Sequence, residues 1–165
     1  DYPSPTPAGF SSVQRIDYGN DTGTALIRGP LSRAIQSKFS ATGNIDYGYI
    51  AGGNTGSGNS LTIVDRIDYG NDTATAVAKG PLSSTRSQFA GAGNQDYGYL
   101  GGGTSTITTV ERIDYSNDTA DVLERGSLTF GSRCNAAVGN PDYGYWGASK
   151  SPSGGGQVSI CQIML

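Results

Sequence analysis

Short runs of apolar and aromatic residues, separated by polar turns rich in glycine and asparagine, extend along the whole chain. In the middle of the sequence these runs lie at 47–51, 61–69, 75–78 and 87–92. The second run alternates loosely between apolar and polar side chains, and Gly, Asn, Asp or Pro residues separate the runs. This length, alternation and punctuation are typical of β-strands joined by tight turns. The pattern predicts four short strands in each unit and no helix.

Two motifs show that the same unit occurs three times. Arg-Ile-Asp-Tyr-(Gly/Ser)-Asn-Asp-Thr stands at 15–22, 66–73 and 112–119, and Asp-Tyr-Gly-Tyr stands at 46–49, 96–99 and 142–145. A period near fifty residues indicates one supersecondary unit copied in series. We therefore expect a single repeat domain over 1–165, with frameworks at about 11–53, 61–103 and 108–148 and an atypical terminal strand at 157–165.

Turn chemistry explains the Gly-Asn-Asp-Thr segment of the first motif. Gly70 and Asn71 tolerate a positive φ, and Asp72 is expected to cap its own backbone. The acidic residues do not have the spacing of an EF-hand calcium loop, so a turn is favoured over a metal site. Asn-Asp-Thr is also an N-glycosylation sequon, which matters only in a eukaryotic secretory context. The turn is the favoured interpretation there as well.

Composition and charge argue against several classes of function. The net charge is −3 and no basic run is present, so the electrostatic footprint of a nucleic-acid binder is lacking. No apolar stretch reaches the ~18 residues of a membrane-spanning helix. The chain has no His, the usual general base and a common metal ligand. The prominent Asp residues recur in every unit, whereas a catalytic site is normally unique. We expect no nucleic-acid partner, no membrane span, no cofactor and no enzymatic activity.

Small residues and cysteines give two further expectations. The segments at 40–42, 90–92 and 136–138 consist of small or short side chains, which suit the innermost strand of a radially arranged sheet. The two cysteines, Cys134 and Cys161, are favoured as small buried side chains, and a disulfide between them stays open.

The unit resembles the kelch repeat of β-propellers. A Tyr precedes a glycine pair at 49–53 and 99–103, and a strand ending in Asp before a turn follows at 64–68 and 110–114. The Gly-Pro-Leu stretch at 80–86 leads to an Arg. The resemblance implies an all-β fold of propeller blades with about four antiparallel strands each, here three periods and a partial terminal unit.

The unit also departs from the kelch pattern. The Trp after the hairpin turn is missing near Ala74, the glycine pair is broken at 145–148, and Arg33 comes too early in the first unit. The first motif, followed by Gly-Pro-Leu-Ser, is similar to repeats in predicted structural proteins of marine bacteriophages. That resemblance implies a virion or fibre component, at the virion surface or outside the cell.

Closure of a ring is the main open question about the architecture. A propeller closes with about four to eight blades, and three blades alone would leave strand edges exposed. The sequence also begins at Asp1 in the middle of a unit, as a fragment or processed product would. We expect other copies of the chain, or further repeats, to complete the ring.

Two functions remain open. The first is a non-catalytic structural or interaction module whose variable loops, at 54–60 and 150–156, face other virion proteins or a host surface glycan. The second is a lectin-like protein with one sugar site per blade, because aromatic rings stack on sugar faces. Packing between blades is favoured for the repeated Tyr-Gly-Tyr segments. The candidate ligand or partner contacts are Trp146, Tyr49, Tyr99 and Tyr145, with the unrepeated Trp146 first.

Overall fold

The computed structural model of the chain describes residues 9–104, 107–131, 133–150 and 162–164. Within these ranges the strands form four separate antiparallel sheets. Their only helical segments are two 3-10 turns of three residues each. An all-β fold is therefore confirmed.

The strands follow one another in the sheets in chain order. A two-stranded hairpin joins β1 (Val13–Arg15) to β2 (Leu26–Arg28). The first four-stranded sheet contains β3 (Ser37–Gly43), β4 (Tyr47–Asn54), β5 (Val64–Asp68) and β6 (Val77–Ala78). The second contains β7 (Ala90–Gly93), β8 (Tyr97–Gly101), β9 (Thr109–Asp114) and β10 (Leu123–Ser127). The last contains β11 (Arg133–Gly139), β12 (Gly144–Lys150) and β13 (Gln162–Met164).

The strand register is the same in successive sheets. The facing residues are Tyr49 and Arg66, Tyr99 and Arg112, and Tyr145 and Ile163. Residues that correspond in the sequence repeat therefore also occupy corresponding places in the structure. A contact in one repeat can be compared directly with its counterpart in the next.

Small residues allow the first strands of neighbouring sheets to approach each other. Strand β7 contacts both β3 and β11. A Cβ atom at Gly91 would lie 2.3 Å from the carbonyl oxygen of Ala41. The small side chains noted in these strands thus lie where the backbones of adjacent sheets approach each other closely.

The apolar core lies between sheets. One cluster joins Tyr49 and Val64 of the first four-stranded sheet to Leu100 and Ile113 of the second. A second cluster joins the second sheet to Trp146 of β12. A sheet with a neighbour on each face buries both sides of its strands, and β5 and β9 accordingly lack a simple alternation of buried and exposed residues.

The structure corrects two details of the sequence prediction. The unit is not free of helix, because Tyr69–Asn71 and Tyr115–Asn117 are 3-10 turns. Positive φ occurs at glycines such as Gly52, whereas Gly70 and Asn71 are not among the positive-φ residues. The turn is therefore a helical turn capped from its N-terminal side, and it does not rely on left-handed backbone.

Three expectations fall wholly or partly outside the described residues. Cys161 and the side chain of Cys134 are not described, and neither are residues 151–156 of the second variable loop. Of the terminal strand expected at 157–165, the described part is β13, which pairs with β12.

A methyl group at Gly80 should destabilise the fold. A Cβ atom there would lie 1.7 Å from the carbonyl oxygen of Ala120 in the next repeat, so the backbones must separate. We expect Gly80→Ala to lower the free energy of unfolding by about 1–3 kcal/mol, measured by urea denaturation. Gly147→Ala is the matched control, because a Cβ atom at Gly147 would meet none of the described residues within 4 Å. Equal midpoints for the two variants would contradict the prediction.

Candidate functional site: the junction between successive repeats

The carboxylate of Asp118 joins the second four-stranded sheet to the first. Its oxygens accept a hydrogen bond from the Tyr49 hydroxyl at 2.9 Å and one from Arg66 Nη1 at 2.8 Å. The Nζ atom of Lys79 lies 3.1 Å away. The Asp118 side chain is 7% exposed, so these groups replace most of its water. We call this contact, between an Asn-Asp-Thr turn and the preceding repeat, the junction.

The same junction occurs one repeat earlier. Asp72 lies 2.7 Å from Arg15 Nη1 and 3.2 Å from Arg28 Nε, both in the first hairpin. Arg15 corresponds to Arg66, and Arg28 corresponds to Lys79. The second Asp of the motif therefore binds two cations of the preceding repeat in both places.

Backbone hydrogen bonds complete the junction. The amide of Gly80 donates to the carbonyl of Asp118 at 2.9 Å, and the amide of Val122 donates to the carbonyl of Pro81 at 3.1 Å. Gly29 donates to Asp72 in the same way, at 2.8 Å. The glycine of each Gly-Pro pair is needed here, because a side chain would collide with the incoming turn.

The first Asp of the motif shapes the turn. The Oδ1 atom of Asp114 accepts a hydrogen bond from the Ser116 amide at 3.0 Å, and Asp68 and Asp17 accept equivalent bonds from Gly70 and Gly19. The expectation that the second Asp caps its own turn is therefore wrong. The first Asp caps the turn, which leaves the second free to reach the preceding repeat.

An aromatic stack seals the junction. The rings of Tyr49 and Tyr115 lie 4.8 Å apart, with an interplanar angle of 11°. The hydroxyl of Tyr115 lies 2.9 Å from Thr42 Oγ1, so its polar end is also satisfied. Burial of these rings supplies apolar area next to the ionic contact.

A second acidic position links the Pro-Leu-Ser segment to the next sheet. Glu111 is fully buried and accepts hydrogen bonds from the amide and hydroxyl of Ser83. Asp65 accepts one from the Ser32 amide at 2.8 Å. Arg86, 1% exposed, lies 3.6 Å from Glu111. The carboxylates thus stabilise segments that belong to the repeat before them.

An asparagine makes a further contact between repeats. The Oδ1 atom of Asn44 accepts hydrogen bonds from the amides of Asp46 and Tyr47, while its Nδ2 donates to the Gln95 carbonyl of the next repeat at 3.1 Å. Asn94 occupies the corresponding position and donates to the Pro141 carbonyl at 3.1 Å. One side chain therefore shapes its own turn and holds the following one.

The electrostatics of the junction keep Asp118 ionised. Burial alone would raise the pKa of its carboxyl group, but hydrogen bonds from Lys79 and Tyr49 and the charges of Arg66 and Lys79 outweigh burial and hold that pKa below its usual value. Burial and the hydrogen bond to Asp118 raise the pKa of Tyr49 far above its usual range. Burial raises the pKa of Tyr115 to about 12. At neutral pH the carboxylate is charged and both phenols are neutral.

The structure places the candidate contact residues in packing positions of different depth. Trp146 is 1% exposed and its Nε1 donates to the Ala90 carbonyl at 3.1 Å, and Tyr49 is fully buried. Tyr99 and Tyr145 are partly buried. Tyr99 and Trp146 line a cavity of about 70 Å³ next to Asn140. Tyr49 is brought into the junction, while Trp146 packs from β12 against the second four-stranded sheet.

Sequence reasoning missed the residues that hold the junction, which are Asp72, Asp118, Arg66 and Lys79. A signal for them was present. The motif carries a second Asp that the turn itself does not use, and a basic residue precedes the glycine in all three units, at Arg28, Lys79 and Arg125. Opposite charges that recur with one period are expected to meet across repeats.

Neither the protein-family models nor the curated proteins include a match to this chain. No cluster of three or more residues suited to holding a metal is found among the described side chains. In the same part of the chain no helix is long and apolar enough to cross a membrane.

Replacing Asp118 should weaken the fold strongly. Asp118→Asn keeps the shape but leaves Arg66 and Lys79 without their counter-charge, so we expect a loss of about 2–4 kcal/mol in the free energy of unfolding by urea denaturation. Asp46→Asn is the control, because it removes an exposed carboxylate outside the junction and should change stability by less than about 0.5 kcal/mol. The prediction fails if the two variants unfold at the same midpoint.

The junction should also make stability depend on pH. Because the pKa of folded Asp118 is depressed, its contribution is present above the unfolded pKa and is lost as the pH falls through about 4 and below. The difference in stability between the wild type and Asp118→Asn should therefore shrink from about pH 6 to about pH 3, as followed by urea midpoints. A difference that stays constant over this range would contradict the assignment.

Proposed function

We propose that the protein is a non-catalytic structural and interaction module, built from kelch-like, propeller-type repeats that stack side by side. The observation that carries this proposal is the recurrence of the junction. Asp72 and Asp118 make the same contact in successive repeats, so the most strongly repeated residues are those that join one repeat to the next. Residues repeated in this way support an assembly rather than a unique reaction centre.

The arrangement of the sheets supports the propeller-type part of the proposal. The two complete sheets have four antiparallel strands each, and the first strands of neighbouring sheets are in contact, which matches what a radial array of blades requires. We infer that further repeats, or further copies of the chain, complete the ring of blades.

The loops supply the interaction part. The loop at 55–60 has no close counterpart in the other repeats, whereas the sequence motifs on either side of it are nearly identical between repeats. Thr55 and Asn59 hold this loop in a compact turn through the 2.9 Å bond from Thr55 N to Asn59 O. Such loops on a rigid framework are typical sites of partner recognition. Together with the likeness to phage structural repeats, this supports a virion or fibre component that faces other virion proteins or a host surface.

A lectin-like function is the second candidate, and one observation favours it. Tyr99, Tyr143, Asn94 and Asp142 line a single open cavity, which combines aromatic rings with polar groups as sugar sites do. The cavity measures about 70 Å³, whereas ligand pockets usually reach about 300 Å³ or more. The structural module is therefore the better supported function.

A glycan array separates the two functions. If the protein is a structural module, labelled wild-type protein should bind to no saccharide on the array, at a concentration where its assembly state has been measured. Tyr143→Ala is the control for specificity, because Tyr143 is 40% exposed and lines the cavity. Saccharide binding that disappears in Tyr143→Ala would overturn the proposal in favour of a lectin.

A further inference from the structure

Each junction consists of two complementary halves. The turn half is the hairpin turn with its Tyr and its second Asp, represented by Tyr115 and Asp118. The receiving half belongs to the preceding repeat. At the Asp118 junction it consists of Tyr49, Arg66 and Lys79, and at the Asp72 junction it consists of the cations Arg15 and Arg28. The aromatic residues stack while the carboxylate meets the cations, so one half specifies the other by shape and charge.

A receiving half without a turn half is formed by Tyr99, Arg112 and Arg125. These residues correspond to Tyr49, Arg66 and Lys79 in the repeat and in strand register. The guanidinium of Arg112 lies 4.1 Å from the centre of the Tyr97 ring, much as Arg66 lies 4.3 Å from that of Tyr47.

This receiving half contacts no turn half among the described residues. The Nε atom of Arg112 is buried and has no hydrogen-bond partner among the described residues. Arg125 is exposed, and it forms no ion pair within the described part of the chain. The ring of Tyr99 borders the cavity of about 70 Å³, whereas the corresponding Tyr49 is covered by the ring of Tyr115.

A turn half without a receiving half is formed by Tyr18 and Asp21 in the first hairpin. This turn has the same capping hydrogen bond as the turns of the internal junctions, since Asp17 Oδ1 accepts a hydrogen bond from the Gly19 amide at 2.8 Å. Tyr18 is 94% exposed, while Tyr115 at the corresponding position is 8% exposed. Asp21 is exposed and makes no ion pair with a described residue. An apolar ring and a carboxylate are thus displayed together on a preformed turn.

We propose that the turn half of one copy of this chain, Tyr18 and Asp21, binds the receiving half of a second copy, Tyr99, Arg112 and Arg125, in a head-to-tail contact that repeats the internal junction. The inference rests on the proposed function as a repeat assembly. Two arguments select this occupant. The charges are complementary, and the contact continues an interface that the chain already forms twice.

This contact requires one strand of the last sheet to be replaced by a strand of the incoming copy. In the internal junctions the strand leading into the turn pairs with the Tyr-Gly-Tyr strand, as β9 pairs with β8. Strand β1 of the incoming copy would therefore lie beside β12, in the place of β13. Strand β13 spans three residues and has Ile163 where β1 has Arg15. The incoming hairpin is thus expected to displace β13.

Two variants, each lacking one functional half of the contact, test the proposal. Asp21→Arg disables the turn half, and the double variant Arg112→Ala/Arg125→Ala disables the receiving half. Because each contact needs one half of each kind, either variant alone should lose the concentration-dependent association of the wild type in sedimentation velocity. An equimolar mixture should form a complex of one copy of each and nothing larger. Asp46→Asn, which removes an exposed carboxylate outside the junction, should associate as the wild type does. Urea midpoints confirm that each variant is folded.

The other outcomes overturn the proposal. A wild type that stays monomeric at all attainable concentrations, variants that associate like the wild type, or a mixture that forms no complex would each do so. If Asp21→Arg lowers stability without changing mass, the turn half binds within its own chain, and the contact between copies is wrong.

A second variant tests the strand exchange. A chain that stops after residue 161 lacks β13 and should associate more tightly than the wild type, if β1 of the incoming copy takes that place. Equal or weaker association of this folded variant would contradict the exchange. Failure of these mass measurements would leave the glycan-array result and the effect of Asp118→Asn untouched, so it is distinguishable from failure of the proposed function.

Discussion

The contact on which the rest of the structure depends is a carboxylate placed between cations of the preceding repeat. A four-stranded antiparallel sheet of such short strands has apolar residues on both faces and needs neighbours to cover them. Asp118 links that neighbour to the preceding repeat, because Arg66, Lys79 and Tyr49 all contact its carboxylate at once. The Tyr49–Tyr115 stack and the backbone bonds of Gly80 then close around the ionic contact. Apolar burial supplies the stabilisation, and the charges select the geometry.

Much of the fold could be predicted from the sequence, because strands and turns are local properties. The four-strand unit and its repeat are visible in the alternation and in the period. Strand ends were less predictable: β4 continues to Asn54 through its glycine pair, since neighbouring strands offer it hydrogen-bond partners there. The sequence does not show whether Asp68 or Asp72 caps the turn, because both residues are close to it. In the structure the side chain of Asp68 accepts the hydrogen bond from the turn.

The junction was hidden for a different reason. Its partners are about fifty residues apart, and a single unit shows only a spare carboxylate and a spare cation. Comparing units shows that both recur, but it does not show which repeat supplies which half. Trp146 illustrates the opposite case: its uniqueness favoured a ligand contact, yet its indole is buried and bonded to the Ala90 carbonyl. A residue found once can still belong to the framework when it fills a place where other repeats use a different side chain.

The spacing of the two halves has a consequence for how such a chain grows. In every period the turn with its acidic residue comes before a cation and the glycine that follows it, so a single period carries one half for each of its neighbours. Tandem duplication of a period therefore creates a matched connection at once, without compensating substitutions on either side. The chain can lengthen by whole units while every boundary remains chemically satisfied, which accounts for motifs that stay nearly identical while the loops between them diverge.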